Sequence, residues 1–165
     1  MRRVLAVAFT IALACSVAAL ATPQAGRETG TRPPDHGLFI PADVKWGDAP
    51  NALPAGAKLA VLEGDPFKEG LYTMRLWMSG GYQIPPHWHV RAEHVTVISG
   101  TFNLGMGEKF DKSAGLTMPA GTFGFLAPRM RHFAWATGES VIQLHGMGPW
   151  EIVYVNPADD PRGKK

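Results

Sequence analysis

The chain of 165 residues has one cysteine, Cys15, and it lies in an N-terminal segment that reads as removable. A folded part without cysteine has no disulfide, no thiolate metal ligand and no thiol nucleophile. Net charge is also scarce. Lys and Arg number 16 against 14 Asp and Glu, and losing Arg2 and Arg3 with residues 1–21 brings the basic count to 14, equal to the acidic one. In a formally neutral chain nothing favours nucleic acid or an anionic membrane surface, both of which need a net basic face, so neither is expected as a partner. No stretch of useful length repeats apolar residues at i, i+3, i+4 and i+7, which excludes a helical bundle. No internal repeat is visible, so one domain is expected rather than a tandem pair.

What the sequence does have is punctuation: 19 glycines and 14 prolines, the composition of many short strands joined by turns. The N-terminus carries a basic pair, Arg2 and Arg3. An apolar run from Val4 to Ala14 follows, in which Thr10 is the only polar residue, and then the small-x-small sequence Ala19-Leu20-Ala21. This is the pattern of a signal peptide, residues 1–21, and it predicts a periplasmic or secreted protein. A retained N-terminal membrane anchor and lipidation at Cys15 are the alternatives. Residues 22–37, with three prolines, three glycines and His36, read as a flexible spacer. The folded domain is expected over 38–155 and a C-terminal tail over 156–165. Within the domain, eight segments rich in β-branched, aromatic or aliphatic residues predict strands: Lys58–Glu63, Leu71–Met78, Glu93–Ser99, Thr101–Met106, Thr122–Leu126, Phe133–Ala136, Val141–His145 and Ile152–Val155. The fold class is all-β, a sandwich or barrel.

The chemistry concentrates in the segment from Gly81 to Gly100. His87 and His89 are two residues apart, so on a strand both imidazoles point to one side and Trp88 to the other. Glu93 opens a strand in which Val95 and Val97 share its face. A carboxylate among valines is costly unless paired or bound to a metal. Two imidazoles and a carboxylate are the donor set of a divalent transition ion: Fe, Mn, Zn, Ni or Cu.

The spacing of Gly81, His87, His89, Glu93 and Gly100 resembles the first motif of the cupin superfamily at every position. Gly121 and His132 are similar to the second motif, with departures: Ala127 stands where Pro is usual, Pro128 follows it, Arg129 replaces a turn glycine and Ala136 replaces a terminal Asn. The resemblance implies a single-domain jelly-roll β-barrel with one divalent transition metal inside one mouth, held by His87, His89, Glu93 and His132. Because Arg takes φ > 0 less cheaply than Gly, the turn before His132 is expected to differ from the family's. The resemblance also implies a homodimer, for which His94, Thr96 and Ile98 on the outer face of their strand could meet a partner.

In Val141–His145 the pattern alternates, and Gln143 and His145 share one face. If that face lined the barrel mouth, both would be candidate catalytic or substrate-contacting residues. Phe133, Trp135 and Trp150 are read as core. Three imidazoles and one carboxylate leave two positions of an octahedral ion open, as a catalytic site requires. The expected function is therefore a metal-dependent enzyme of dioxygenase or isomerase type acting on a small organic molecule. The alternative is a non-catalytic envelope protein that binds a metal or small ligand.

Overall fold

The computed structural model describes residues 36–163. The proposed signal peptide and nearly all of the spacer lie outside these residues. The described part holds eleven strands: β1 (Gly47–Asp48), β2 (Ala57–Glu63), β3 (Gly70–Met78), β4 (Gln83–Trp88), β5 (Glu93–Ser99), β6 (Thr101–Met106), β7 (Gly115–Pro119), β8 (Phe123–Leu126), β9 (His132–Ala136), β10 (Ser140–Gly148) and β11 (Val153–Tyr154). They form two antiparallel sheets facing each other, β1-β2-β3-β10-β5-β8 and β11-β4-β9-β6-β7, in a jelly-roll arrangement. Residues 156–163 run on as two short 3-10 turns, where the Arg162 guanidinium donates to Asp160 and to the Ile152 carbonyl.

The core lies between the sheets and is built by alternation. Met74, Leu76 and Met78 of β3, Val95 and Val97 of β5, and Ile142 and Leu144 of β10 point inward from the six-stranded sheet. Ile84, Phe102 and Ala134 meet them from the other sheet. β5 and β6 have the bounds expected from sequence, and Gly100 alone separates them, at φ 77°. A side chain there would be strained and would collide with the Glu139 carbonyl, so the motif's last glycine is a steric requirement.

Two strands near the site escape the sequence pattern. β4 contains Pro85 and Pro86, which cannot donate to a ladder and normally demote a segment to loop or edge. Here β4 sits between β11 and β9, and its pairing with β9 shifts by one residue between Ile84 and His87, where the prolines fall. β7 is an edge strand in which Leu116 and Thr117, on opposite faces, are both exposed and Met118 alone is buried, so it lacks a buried stripe. The turn before β9 also corrects an expectation. Arg129 does adopt the left-handed conformation, at φ 65°. Pro128 precedes it and the Met130 N–H closes on the Ala127 carbonyl, the pattern of a type II turn with an arginine in the glycine place. Two contacts oppose the local strain. The Arg129 N–H donates to the His89 carbonyl at 2.8 Å, and its guanidinium lies 5.7 Å from the Trp88 ring centre.

Candidate metal centre

Each donor is placed by the sheet it belongs to. His87 is the last residue but one of β4 and is directly opposed by His132, the first residue of β9, with ring centres 4.1 Å apart. His89 follows two residues after His87 on the same inward side, and Trp88 between them is less buried. Glu93 approaches from the opposite sheet as the first residue of β5. Nitrogens of His87, His89 and His132 all lie within 4.8 Å of one another. Glu93 Oε1 is 3.4 Å from His89 Nε2, and Oε2 is 3.7 Å from His132 Nε2. All four side chains are buried. The structure thus brings together the four residues that the spacing and the motifs singled out.

The protonation pattern follows from the hydrogen bonds. His87 Nδ1 lies 2.7 Å from the Pro85 carbonyl, His89 Nδ1 2.6 Å from the Glu151 carbonyl and His132 Nδ1 2.9 Å from the Met130 carbonyl. A carbonyl oxygen only accepts, so each Nδ1 must carry the proton and donate it. Burial, reinforced by the neighbouring imidazoles His132 and His89, holds the His87 ring well below the usual histidine range. Burial lowers His132 as well, outweighing the upward pull of the Glu93 carboxylate. Both rings are therefore neutral near pH 7, with Nε2 lone pairs facing the centre.

The fourth donor is also held. The Trp150 indole N–H donates to Glu93 Oε1 at 3.1 Å, and its ring packs 5.4 Å from His89. Sequence reading assigned Trp150 to the core. It is buried, but it also orients the carboxylate. The available signal was the rule that a buried indole N–H seeks an acceptor, although the sequence does not say which one.

A cation fits this arrangement. His89 Nε2 is buried with no hydrogen-bond partner, although Glu93 Oε1 is close by. Lone pairs and carboxylate oxygens face each other across a small space, an arrangement that a positive ion at their centre resolves. The free space beside the four donors is about 20 Å³, room for about one water. Its other walls are apolar, among them Ile84, Phe102, Ile142 and Leu144.

Gln143 and His145 are not brought to this centre. β10 turns Ile142 and Leu144 inward, and the alternation sends Gln143 and His145 to the outer face of the sheet. There Gln143 Oε1 accepts from Arg75 Nε at 3.2 Å, and His145 stacks against His94. The proposed placement of this pair at the barrel mouth is thereby corrected: the interior takes the apolar set of the strand. Phe133 is fully buried and packs against Phe110 and Trp135. His36 is exposed.

No family model matches the sequence, and no curated protein does. Solved structures do. A polyketide cyclase, RemF, from Streptomyces resistomycificus superposes with a TM-score of 0.61 at 18% identity, over 76% of this chain and 89% of that one. A candidate acetylacetone dioxygenase from Methylibium petroleiphilum PM1 gives 0.56 at 20% identity, over 79% and 88%. An RmlC-like cupin from Shewanella frigidimarina NCIMB 400 gives 0.54 at 18% identity, over 69% and 91%. The chain has the cupin fold.

Proposed function

We propose, for a chain of the cupin fold, a metal-dependent enzyme that holds one divalent transition ion on His87, His89, Glu93 and His132. Its substrate is a small organic molecule, and the chemistry is oxidation by dioxygen or isomerisation. One observation carries this reading: three imidazoles with Nδ1 tied to backbone carbonyls converge, and His89 and His132 turn Nε2 toward a carboxylate that is itself fixed by an indole. An ion bound there would supply Lewis acidity, or a redox centre if it is iron or manganese. The chain's own contribution is to keep the imidazoles neutral, aim four donors before any ligand arrives and surround them with an apolar wall. Among the structural neighbours are one named as a cyclase and one as a candidate dioxygenase, which is compatible with either chemistry. A fold alone does not select a reaction.

The free space of about 20 Å³ favours a second reading, an envelope protein that binds metal without turnover. A substrate larger than a water or a dioxygen molecule requires side chains to move.

The deciding experiment is elemental analysis of protein purified from its native compartment, wild type against His87→Ala/His89→Ala. About one equivalent of a single metal, lost in the variant, is expected. Oxygen uptake or substrate turnover by the loaded wild type then supports the enzyme, and saturable metal binding without turnover supports the second reading. Absence of metal from the wild type overturns both. We also propose export, and the intact mass of the same preparation tests it. A chain beginning at Thr22 supports cleavage, and a full-length chain in the membrane fraction supports an anchor.

A further inference from the structure

Two further histidines stand back to back with the metal centre, on the outer side of the same sheet. Glu93 points inward from β5, and the next residue, His94, points outward. His94 is directly opposed by His145 on the neighbouring strand β10. Their ring centres are 4.9 Å apart and the rings are inclined by only 15°. Directly opposed residues on antiparallel strands have Cβ atoms about 4.5–5.5 Å apart. Two imidazoles that start this close can reach one ion, since metal–nitrogen bonds of about 2.1 Å set cis nitrogens about 3 Å apart.

The hydrogen bonding of the pair differs from that of the inner histidines. Each inner ring has its Nδ1 fixed by a backbone carbonyl, whereas His94 Nδ1 is buried and has no hydrogen-bond partner. No carbonyl dictates which nitrogen of His94 carries the proton, so either remains available as a donor atom. The pair opens onto a groove that also contains Glu63 and Arg91. The Glu63 carboxylate, which accepts from Thr73 Oγ1 at 3.4 Å, puts an anionic group on the same wall. Arg91 lies 3.7 Å from Glu69, which partly offsets its positive charge. The nearest aromatic neighbours, Phe123 and Phe125, lie on β8 beside His94 and leave the groove side open.

We propose that His94 and His145 form a second metal site, a two-imidazole chelate on the outer face of the sheet. It takes a borderline divalent ion, Cu(II), Ni(II) or Zn(II), whose remaining positions are filled by water. With two protein donors instead of four, it binds more weakly than the inner centre. It does not depend on the inner centre being catalytic.

The test is a calorimetric titration of metal-stripped, untagged protein with Ni(II) alone, followed by elemental analysis after saturation. The wild type is expected to take two equivalents, the second at least tenfold weaker. His94→Ala and His145→Ala should each lose only the weak equivalent, and the tight one they retain reports that the barrel is intact. The His87→Ala/His89→Ala variant should show the reverse. A single equivalent in the wild type overturns the proposal, as does a second equivalent that survives in either His94→Ala or His145→Ala. Persistence of the tight equivalent in His87→Ala/His89→Ala would overturn the inner site and leave the outer one standing, so the two readings fail separately.

Discussion

Trp150 shows how one side chain supports another's chemistry. Its indole N–H is the one hydrogen-bond donor that the described residues supply to the Glu93 carboxylate. Trp150→Phe keeps most of the ring that packs on His89 and removes only that donor. Losing a group that orients a metal ligand typically weakens metal binding about 10- to 100-fold. Competition against a chromophoric chelator should show a loss of that size, with near-unchanged thermal stability of the metal-free protein; unchanged affinity would mean that Glu93 needs no orienting partner. At this scale the sequence was informative where chemistry depends on spacing. His87, His89 and Glu93 could be placed together because the period of a strand fixes faces, and His132 came from motif resemblance. Trp150 could not be placed, since its contact with Glu93 spans 57 residues and no local pattern encodes it. Gln143 and His145 were misplaced for a related reason: alternation says that two residues share a face, and only packing decides which face is inside.

Between elements, the joint that matters most is where the two sheets meet at the β5–β6 corner. Ser140 opens β10 in one sheet and Thr101 opens β6 in the other. The Ser140 hydroxyl is fully buried, accepts from the Thr101 N–H at 3.1 Å and lies 3.0 Å from the Thr101 carbonyl as a donor. Ser140→Ala leaves the partly buried Thr101 N–H without its partner, a loss of about 1 kcal/mol. Denaturant unfolding should show the midpoint fall with an unchanged slope; a shift below about 0.5 kcal/mol would mean that water or a backbone adjustment replaces the hydroxyl. The elements themselves were legible to different degrees. β5 and β6, bounded by Gly100 and rich in β-branched or apolar residues, were found to the residue. β4 was hidden by its prolines although it carries His87. Its place between two partners is a tertiary outcome, tolerated because the mismatch is absorbed in a one-residue shift.

For the whole molecule, the β8 edge of the six-stranded sheet is, among the described residues, an exposed apolar feature. Phe123 and Phe125 on β8 are 55% and 70% exposed. β8 is a sheet edge with no charged residue, the kind of edge to which another strand can add. A second copy of this chain is the occupant we propose for it, in line with the homodimer implied by the resemblance. Light scattering after size-exclusion chromatography should give twice the chain mass for the wild type and a monomer for Phe125→Glu; a wild-type monomer at micromolar concentration ends the idea.

The four donors of the inner centre also differ in when they can be aimed. His87 and His132 are oriented by carbonyls only two residues away, so each carries its aim within its own short stretch of chain. His89 is oriented by the Glu151 carbonyl, 62 positions later, and Glu93 by Trp150, 57 positions later. A growing chain therefore makes its imidazoles long before it can point all of them. The four-donor arrangement is completed only by the last part of the domain to be synthesised, so an ion held there would have to follow it.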